Sequence, residues 1–171
     1  MALQDKIKKI KVVVCDVDGV LTDGRIIYDS DGREIKNFDV QDGLGLGALR
    51  KMGIQLAIIS SRDSKVVAPR AAELRVDHVY VGVEPKMKAY EDLLKKLKMK
   101  DEHVCFIGDD LADLRILERV GFPVAVANAV KDIKKVAAYV TKKSGGRGAV
   151  RETAELILKT QGLWSKFLKG I

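Results

Sequence analysis

With 171 residues, 47 % of them hydrophobic and 32 % charged, the chain has the size and composition of one globular domain, residues 1–171, and is too short for two. Its longest apolar runs, such as Val12–Cys15 and Val124–Ala127, fall far short of the roughly 20 residues that cross a bilayer, so no membrane span is predicted. The formal charge of +7 comes from lysines interleaved with acids, and aromatics are only 5 %; base-stacking platforms are scarce and no nucleic-acid partner is predicted.

Met1–Lys11 carries several lysines, but the apolar run after it stops at Asp16, too soon for a secretion signal, which predicts a cytoplasmic protein. Six short runs then read as strands: Val12–Cys15, Gln55–Ser60, His78–Val81, Val104–Ile107, Pro123–Ala127 and Tyr139–Thr141. They are mostly β-branched or aromatic and bounded by polar residues or glycine. Cys15 and Cys105 fall inside two of them and read as buried free thiols. Between the strands, helical patterns cover 42–53 with Asp42 as its cap, 64–74 with Pro69 as a source of a kink, 86–99, 110–120, 130–138 and 148–160. Alternating strands and helices predict an α/β fold, a doubly wound, Rossmann-like parallel sheet with helices on both faces.

One segment breaks the alternation. Residues 24–41 hold two extended halves, Arg25–Tyr28 and Arg33–Phe38, joined by Asp29-Ser30-Asp31-Gly32, and predict a small β-hairpin flap. Gly43-x-Gly45-x-Gly47 lacks the spacing and preceding strand of a dinucleotide fingerprint and reads as close helix packing. Gly145-Gly146-Arg147-Gly148 lacks the Lys-Ser/Thr of a P-loop and reads by itself as a flexible link within a C-terminal tail, 144–171. His78 and His103 lie at strand starts, and Trp164 with its apolar neighbours reads as packing or subunit contact.

In open α/β sheets ligands bind beyond the carboxyl ends of the strands, near the switch point. The first predicted strand ends in Asp16-Val17-Asp18-Gly19, the second in Ser60-Ser61-Arg62 and the fourth in Gly108-Asp109-Asp110, while Lys86 opens the helix after the third. Carboxylates gathered at one edge repel one another unless a hard divalent cation offsets them, and oxygen ligands suit Mg²⁺. Asp113 reads as a first-turn acid of its helix.

Asp-Val-Asp-Gly-Val-Leu-Thr, Ser60, Lys86 and Gly-Asp-Asp, in that order, resemble the four motifs of the haloacid-dehalogenase superfamily of phosphatases. The flap followed by Asp42-Gly43, and Gly145–Glu152, are similar to the 3-deoxy-D-manno-octulosonate 8-phosphate phosphatase family within it, which serves lipopolysaccharide synthesis. The chain departs from that family's Thr-Gly-Arg with Ser60-Ser61-Arg62, and from its Asp-Lys with Pro85-Lys86. The resemblance implies a sugar acid phosphate as substrate, Asp16 as nucleophile and Asp18 as general acid and base. It implies Mg²⁺ held by Asp16, Asp18 (through its backbone carbonyl) and Asp109, with Asp110 supporting those ligands. Ser60 and Lys86 would bind phosphate, with Lys88 a weaker candidate for the lysine role. Arg62, Arg70 and Arg147 would meet the substrate's carboxylate, and neighbouring chains of a homotetramer would complete the site. A nine-carbon sugar acid phosphate, or a broad range of sugar phosphates, stays open as the substrate. A receiver-like phosphoaspartate signalling domain shares these residue types, but its acids would be adjacent and a lone aspartate would end the His78–Val81 strand.

Overall fold

The computed structural model describes residues 2–171. A short helix, Leu3–Lys8 (α1), leads into Val12–Cys15 (β1), whose four residues are all buried. Three consecutive valines cannot alternate between core and solvent, so this strand needs cover on both faces and takes a central place. The flap follows as Ile27–Tyr28 (β2) and Glu34–Ile35 (β3), paired antiparallel. Then come Val40–Lys51 (α2), Gln55–Ile59 (β4), Val67–Glu73 (α3), His78–Tyr80 (β5), Lys86–Leu97 (α4) and Val104–Gly108 (β6). Leu114–Leu117 (α5), Phe122–Ala125 (β7), Lys131–Val136 (α6), Tyr139–Val140 (β8), Ala149–Thr160 (α7) and Trp164–Lys169 (α8) complete the chain.

The six main strands form one parallel sheet in the order β5-β4-β1-β6-β7-β8. From β1 the chain winds outward through β4 and β5, then returns to β6 on the other side and winds outward again. The switch point therefore lies beside β1, where Cys15 is in register with Ile58 on one flank and Ile107 on the other. Helices α1, α2, α7 and α8 pack together as one layer, and α4, α5 and α6 as another. Helices therefore surround the sheet, as the alternation of elements predicts.

Two local expectations are corrected. Asp39, not Asp42, caps α2: its extended backbone lets its side chain accept from the amides of Gln41 (2.6 Å) and Asp42 (3.4 Å). Asp42 is buried and instead accepts from Gly148 N (3.3 Å) and Arg151 N (2.8 Å), so it caps the distant α7, whose own N-cap is a glycine. Pro69 produces no break in α3, because it sits in the first turn, where the missing N–H would have had no helical partner.

The C-terminal segment is built into the core. Val150, Ala154, Ile157 and Leu158 of α7 are buried, and α7 packs along α2. A Cβ on Gly45 would come within 2.9 Å of the Arg151 Cα, so the glycine there does serve close helix packing. Gly145 and Gly146 are no loose link. A Cβ on Gly145 would lie 1.7 Å from the Gly19 carbonyl oxygen, and one on Gly146 would lie 2.5 Å from the Asp23 amide nitrogen. Backbone lies directly on backbone here, which only glycine permits.

Candidate active site

The carboxyl ends of β1, β4 and β6 bring Asp16, Asp18, Ser60, Ser61, Arg62, Lys86, Asp109 and Asp110 around one cavity of about 300 Å³. Asp16 follows β1 directly, and its amide donates to Ile107 O of β6 (3.1 Å), so the sheet itself aims its side chain. Asp109 follows β6 in the same way. Carboxylate oxygens of Asp16, Asp109 and Asp113 all lie within 4.8 Å of one another.

Lys86, the first residue of α4, is buried among these acids. Its Nζ sits 2.8 Å from Asp16 Oδ1 and 2.7 Å from Asp113 Oδ1. Burial works against the ammonium, but the charges of Asp16 and Asp113 outweigh it and hold Lys86 above its ordinary pKa. Asp113 is fully buried; its other oxygen accepts the amide of Asp109 (3.1 Å). A Cβ on Gly108 would strike that carboxylate at 2.6 Å, so the glycine of Gly-Asp-Asp makes room for it. Asp113 is therefore more than a helix-terminal acid: it orients both the lysine and the Asp109 backbone. Spacing alone hides this, because Asp113 closes a single 3₁₀ turn, Leu111–Asp113, that turns it inward before α5 begins.

The electrostatics report crowding. Burial, then the charge of Asp113, pushes the Asp16 carboxyl up to about 7 despite the opposing Lys86. Burial, then Asp16 and Asp113, pushes Asp109 up to about 8. Asp113 is raised as well, chiefly by burial. One oxygen of Asp109 and one of Asp18 are buried without any hydrogen-bond partner. Unpartnered, repelling, all-oxygen donors are what a hard divalent cation satisfies, and Mg²⁺ fits this set.

The flap supplies residues that the sequence pattern did not single out. The Lys36 side chain is buried, with its Nζ paired to Asp18 Oδ1 and lying 3.1 Å from Glu34 Oε1. Glu34 also receives Arg62 Nη2 (2.9 Å) and the Ser64 hydroxyl. The available signal was the alternation itself. The side chains of Glu34 and, just past β3, Lys36 turn inward while Ile35 between them is exposed, polar inward and apolar outward, as suits a hairpin beside a charged cavity.

The remaining candidates separate. Ser60 is buried at the cavity wall, Arg62 lines the cavity, and Asp110 lines it while its side chain accepts from the Leu111 amide (2.7 Å). Lys88 is exposed on α4. Arg70 stays outside, stacked 5.4 Å over the Phe38 ring and donating to Asp39 O (3.3 Å), where it ties α3 to the end of the flap. Arg147 lines an adjoining hollow of about 430 Å³ with Asp23 and Phe38, and its side chain is largely exposed, 3.7 Å from Asp23.

A doubly wound sheet with an Asp-x-Asp turn, a buried lysine and an acid pair at its carboxyl edge defines a haloacid dehalogenase-like hydrolase. Comparison with known proteins agrees: the haloacid dehalogenase-like hydrolase profile matches residues 85–152. The 3-deoxy-D-manno-octulosonate 8-phosphate phosphatase of Escherichia coli K12 is 45 % identical over 157 residues, 92 % of this chain and 84 % of that protein. The crystal structure of the Moraxella catarrhalis enzyme of that name, in complex with magnesium, phosphate and 3-deoxy-D-manno-octulosonate, superposes with a TM-score of 0.95 at 47 % identity, covering 98 % of this chain and 97 % of the other. The cobalt-bound Haemophilus influenzae phosphatase gives 0.88 at 41 % identity, covering 92 % of each chain. The chain belongs to the 3-deoxy-D-manno-octulosonate 8-phosphate phosphatase family of the haloacid dehalogenase-like hydrolases.

Proposed function

We propose that the protein hydrolyses 3-deoxy-D-manno-octulosonate 8-phosphate to the free sugar acid and inorganic phosphate, in the cytoplasm, as a step of lipopolysaccharide biosynthesis. The observation that carries the chemistry is the Asp16–Lys86–Asp113 arrangement, with the unpartnered Asp109 oxygen beside it at the base of the cavity. The substrate assignment rests on the kinship just described.

Asp16 is the nucleophile. Its carboxylate oxygen attacks phosphorus in line as the ester P–O bond breaks, giving an aspartyl phosphate and dividing one difficult displacement into two. Asp18 gives its proton to the departing sugar oxygen, then takes one from the water that attacks the aspartyl phosphate and restores Asp16. Lys86 and the Ser60 hydroxyl hold the phosphoryl oxygens over which charge spreads in the transition state. Asp16 and Asp109, with the Asp18 backbone carbonyl, would hold Mg²⁺, and Asp110 would support them. When bound, the ion supplies charge neutralisation and alignment of nucleophile and phosphate.

The substrate's carboxylate needs a cation, and arginine meets it bidentately. Arg62, which lines the cavity, would meet it there, and Arg147, which lines a separate hollow, is the second candidate. We further infer a homotetramer in which neighbouring chains finish the site. The flap is too small to enclose an eight-carbon sugar, and Ile26, Tyr28, Ile35 and Val40 on and beside it are exposed, an apolar face that suits subunit contact. Phosphate release across a panel of sugar phosphates, with and without Mg²⁺, tests the activity. A preference for the eight-carbon sugar acid phosphate is expected. Equal rates with simple hexose phosphates, or faster turnover of a nine-carbon sugar acid phosphate, would overturn the assignment. Sedimentation showing a fully active monomer would overturn the shared site.

A further inference from the structure

The hairpin β2–β3 is held by only two residue pairs, Ile27 with Ile35 and Tyr28 with Glu34. A lone two-stranded ribbon is marginally stable in water, so side chains must fix where the flap lies. Several of the bonds that do so converge on one carboxylate, while Arg70 holds the end of the flap at Phe38 and Asp39. Glu34 joins Lys36 just beyond its own strand (3.1 Å), Arg62 from the loop after β4 (2.9 Å) and the buried Ser64 hydroxyl further along the same loop. Lys36 in turn reaches Asp18, and its side chain, only 1 % exposed, lies between the two acids.

We propose that Glu34 is the positioning residue that seats the flap over the cavity, holding Lys36 against Asp18 and fixing Arg62 at the rim. This rests on the phosphatase reading above. Glu34 does not itself line the cavity; it acts through Lys36, whose ammonium sets where the Asp18 carboxyl group points when the sugar oxygen departs. The Ser64 hydroxyl above all, helped by Lys36 and Arg62, holds the Glu34 carboxyl below its ordinary pKa against the opposing effect of burial, consistent with a carboxylate that stays charged in this role.

The test compares the Mg²⁺-loaded wild type with Glu34→Gln, Lys36→Met and the double variant on 3-deoxy-D-manno-octulosonate 8-phosphate and on p-nitrophenyl phosphate. An alkoxide leaving group needs Asp18's proton far more than a nitrophenolate does. Glu34→Gln is therefore expected to lower kcat on the sugar substrate about tenfold and on the aryl substrate less than about threefold. Because Glu34 acts on Asp18 through Lys36, the kcat of the double variant should be no lower than that of Lys36→Met alone, any effect through Arg62 falling on KM. Ser64→Ala keeps the carboxylate but removes one of its bonds, and should give a smaller loss of the same selectivity; it stands in if Glu34→Gln does not fold. Hydrogen exchange on the substrate-free proteins should show the flap amides of residues 27–35 losing protection in Glu34→Gln while β1 and β6 keep theirs. Equal losses on both substrates, independent losses that multiply in the double variant, or unchanged flap exchange would each overturn the proposal. If the wild type released phosphate from neither substrate, the phosphatase reading would fail, and the exchange measurement would still decide whether Glu34 seats the flap.

Discussion

Replacing Asp16 by asparagine should abolish turnover and, without metal, make the protein more stable. The carboxyl group is raised from 3.8 to about 7 in the folded chain, mainly by burial and by Asp113. A group raised in this way contributes stability that is fully present below its unfolded value and is lost as pH climbs through its folded value. At roughly 1.4 kcal/mol per pH unit, ionised Asp16 costs the fold at most about 4 kcal/mol above neutrality. Asparagine removes that charge at equal volume. Lys86 loses one partner but keeps Asp113 at 2.7 Å, which returns part of the gain. The expected net change is about 1–2 kcal/mol of added stability near pH 8, shrinking toward ~pH 5 as the native carboxyl group protonates. Urea unfolding in excess chelator at several pH values measures it, beside phosphate release with Mg²⁺ restored. The amide cannot attack phosphorus, so kcat should fall by a factor on the order of 10⁴ or more. A folded Asp16→Asn protein with substantial activity would refute the covalent mechanism. One destabilised equally at all pH values would refute the account of the carboxylate cluster.

Lys86→Met should leave Asp16 and Asp113 buried without a counter-ion, costing about 3–5 kcal/mol in urea unfolding together with most activity. Chelation should remove activity reversibly, with Mg²⁺ restoring it better than the larger, more loosely coordinated Ca²⁺; full activity in chelator would show that the carboxylates are not a metal site. Saturating Mg²⁺ at about 100 times its Kd should also raise stability by roughly 2.7 kcal/mol, read as a shift of the unfolding midpoint. Gly145→Ala would drive a methyl group into the Gly19 carbonyl, so circular dichroism and thermal melting should show marked destabilisation; an unchanged melt would mean that the two loops can separate freely. Arg147→Ala, which leaves the buried face of α7 intact, should weaken the sugar acid substrate more than p-nitrophenyl phosphate in KM measurements; equal effects would remove Arg147 from carboxylate binding.

Much of the fold was legible in the chain because its signals are local. Val12–Cys15 and Val104–Gly108 are apolar runs that only a doubly covered strand accommodates, and each stops at an acidic cluster that the parallel topology must bring to one edge. Asp16, Asp18, Ser60, Lys86 and Asp109 could therefore be named from sequence, and the structure lines one cavity with them. Contacts between distant segments were not legible. Asp42 has a good local reason to cap its own helix, yet it caps α7 because Asp39 is already extended and the N-cap of α7 is Gly148, which has no side chain to offer. Asp113 is an ordinary helix-start acid until a 3₁₀ turn points it at Lys86. Glu34 and Lys36 belong to a short, weakly patterned hairpin whose position is set by partners near 18 and 62–64, and no local periodicity encodes where those partners lie. Gly145 and Gly146 look like a flexible joint because glycine's freedom is all that a sequence displays. Only the tertiary structure shows that freedom spent on laying one backbone directly against another beside the turn that follows Asp16.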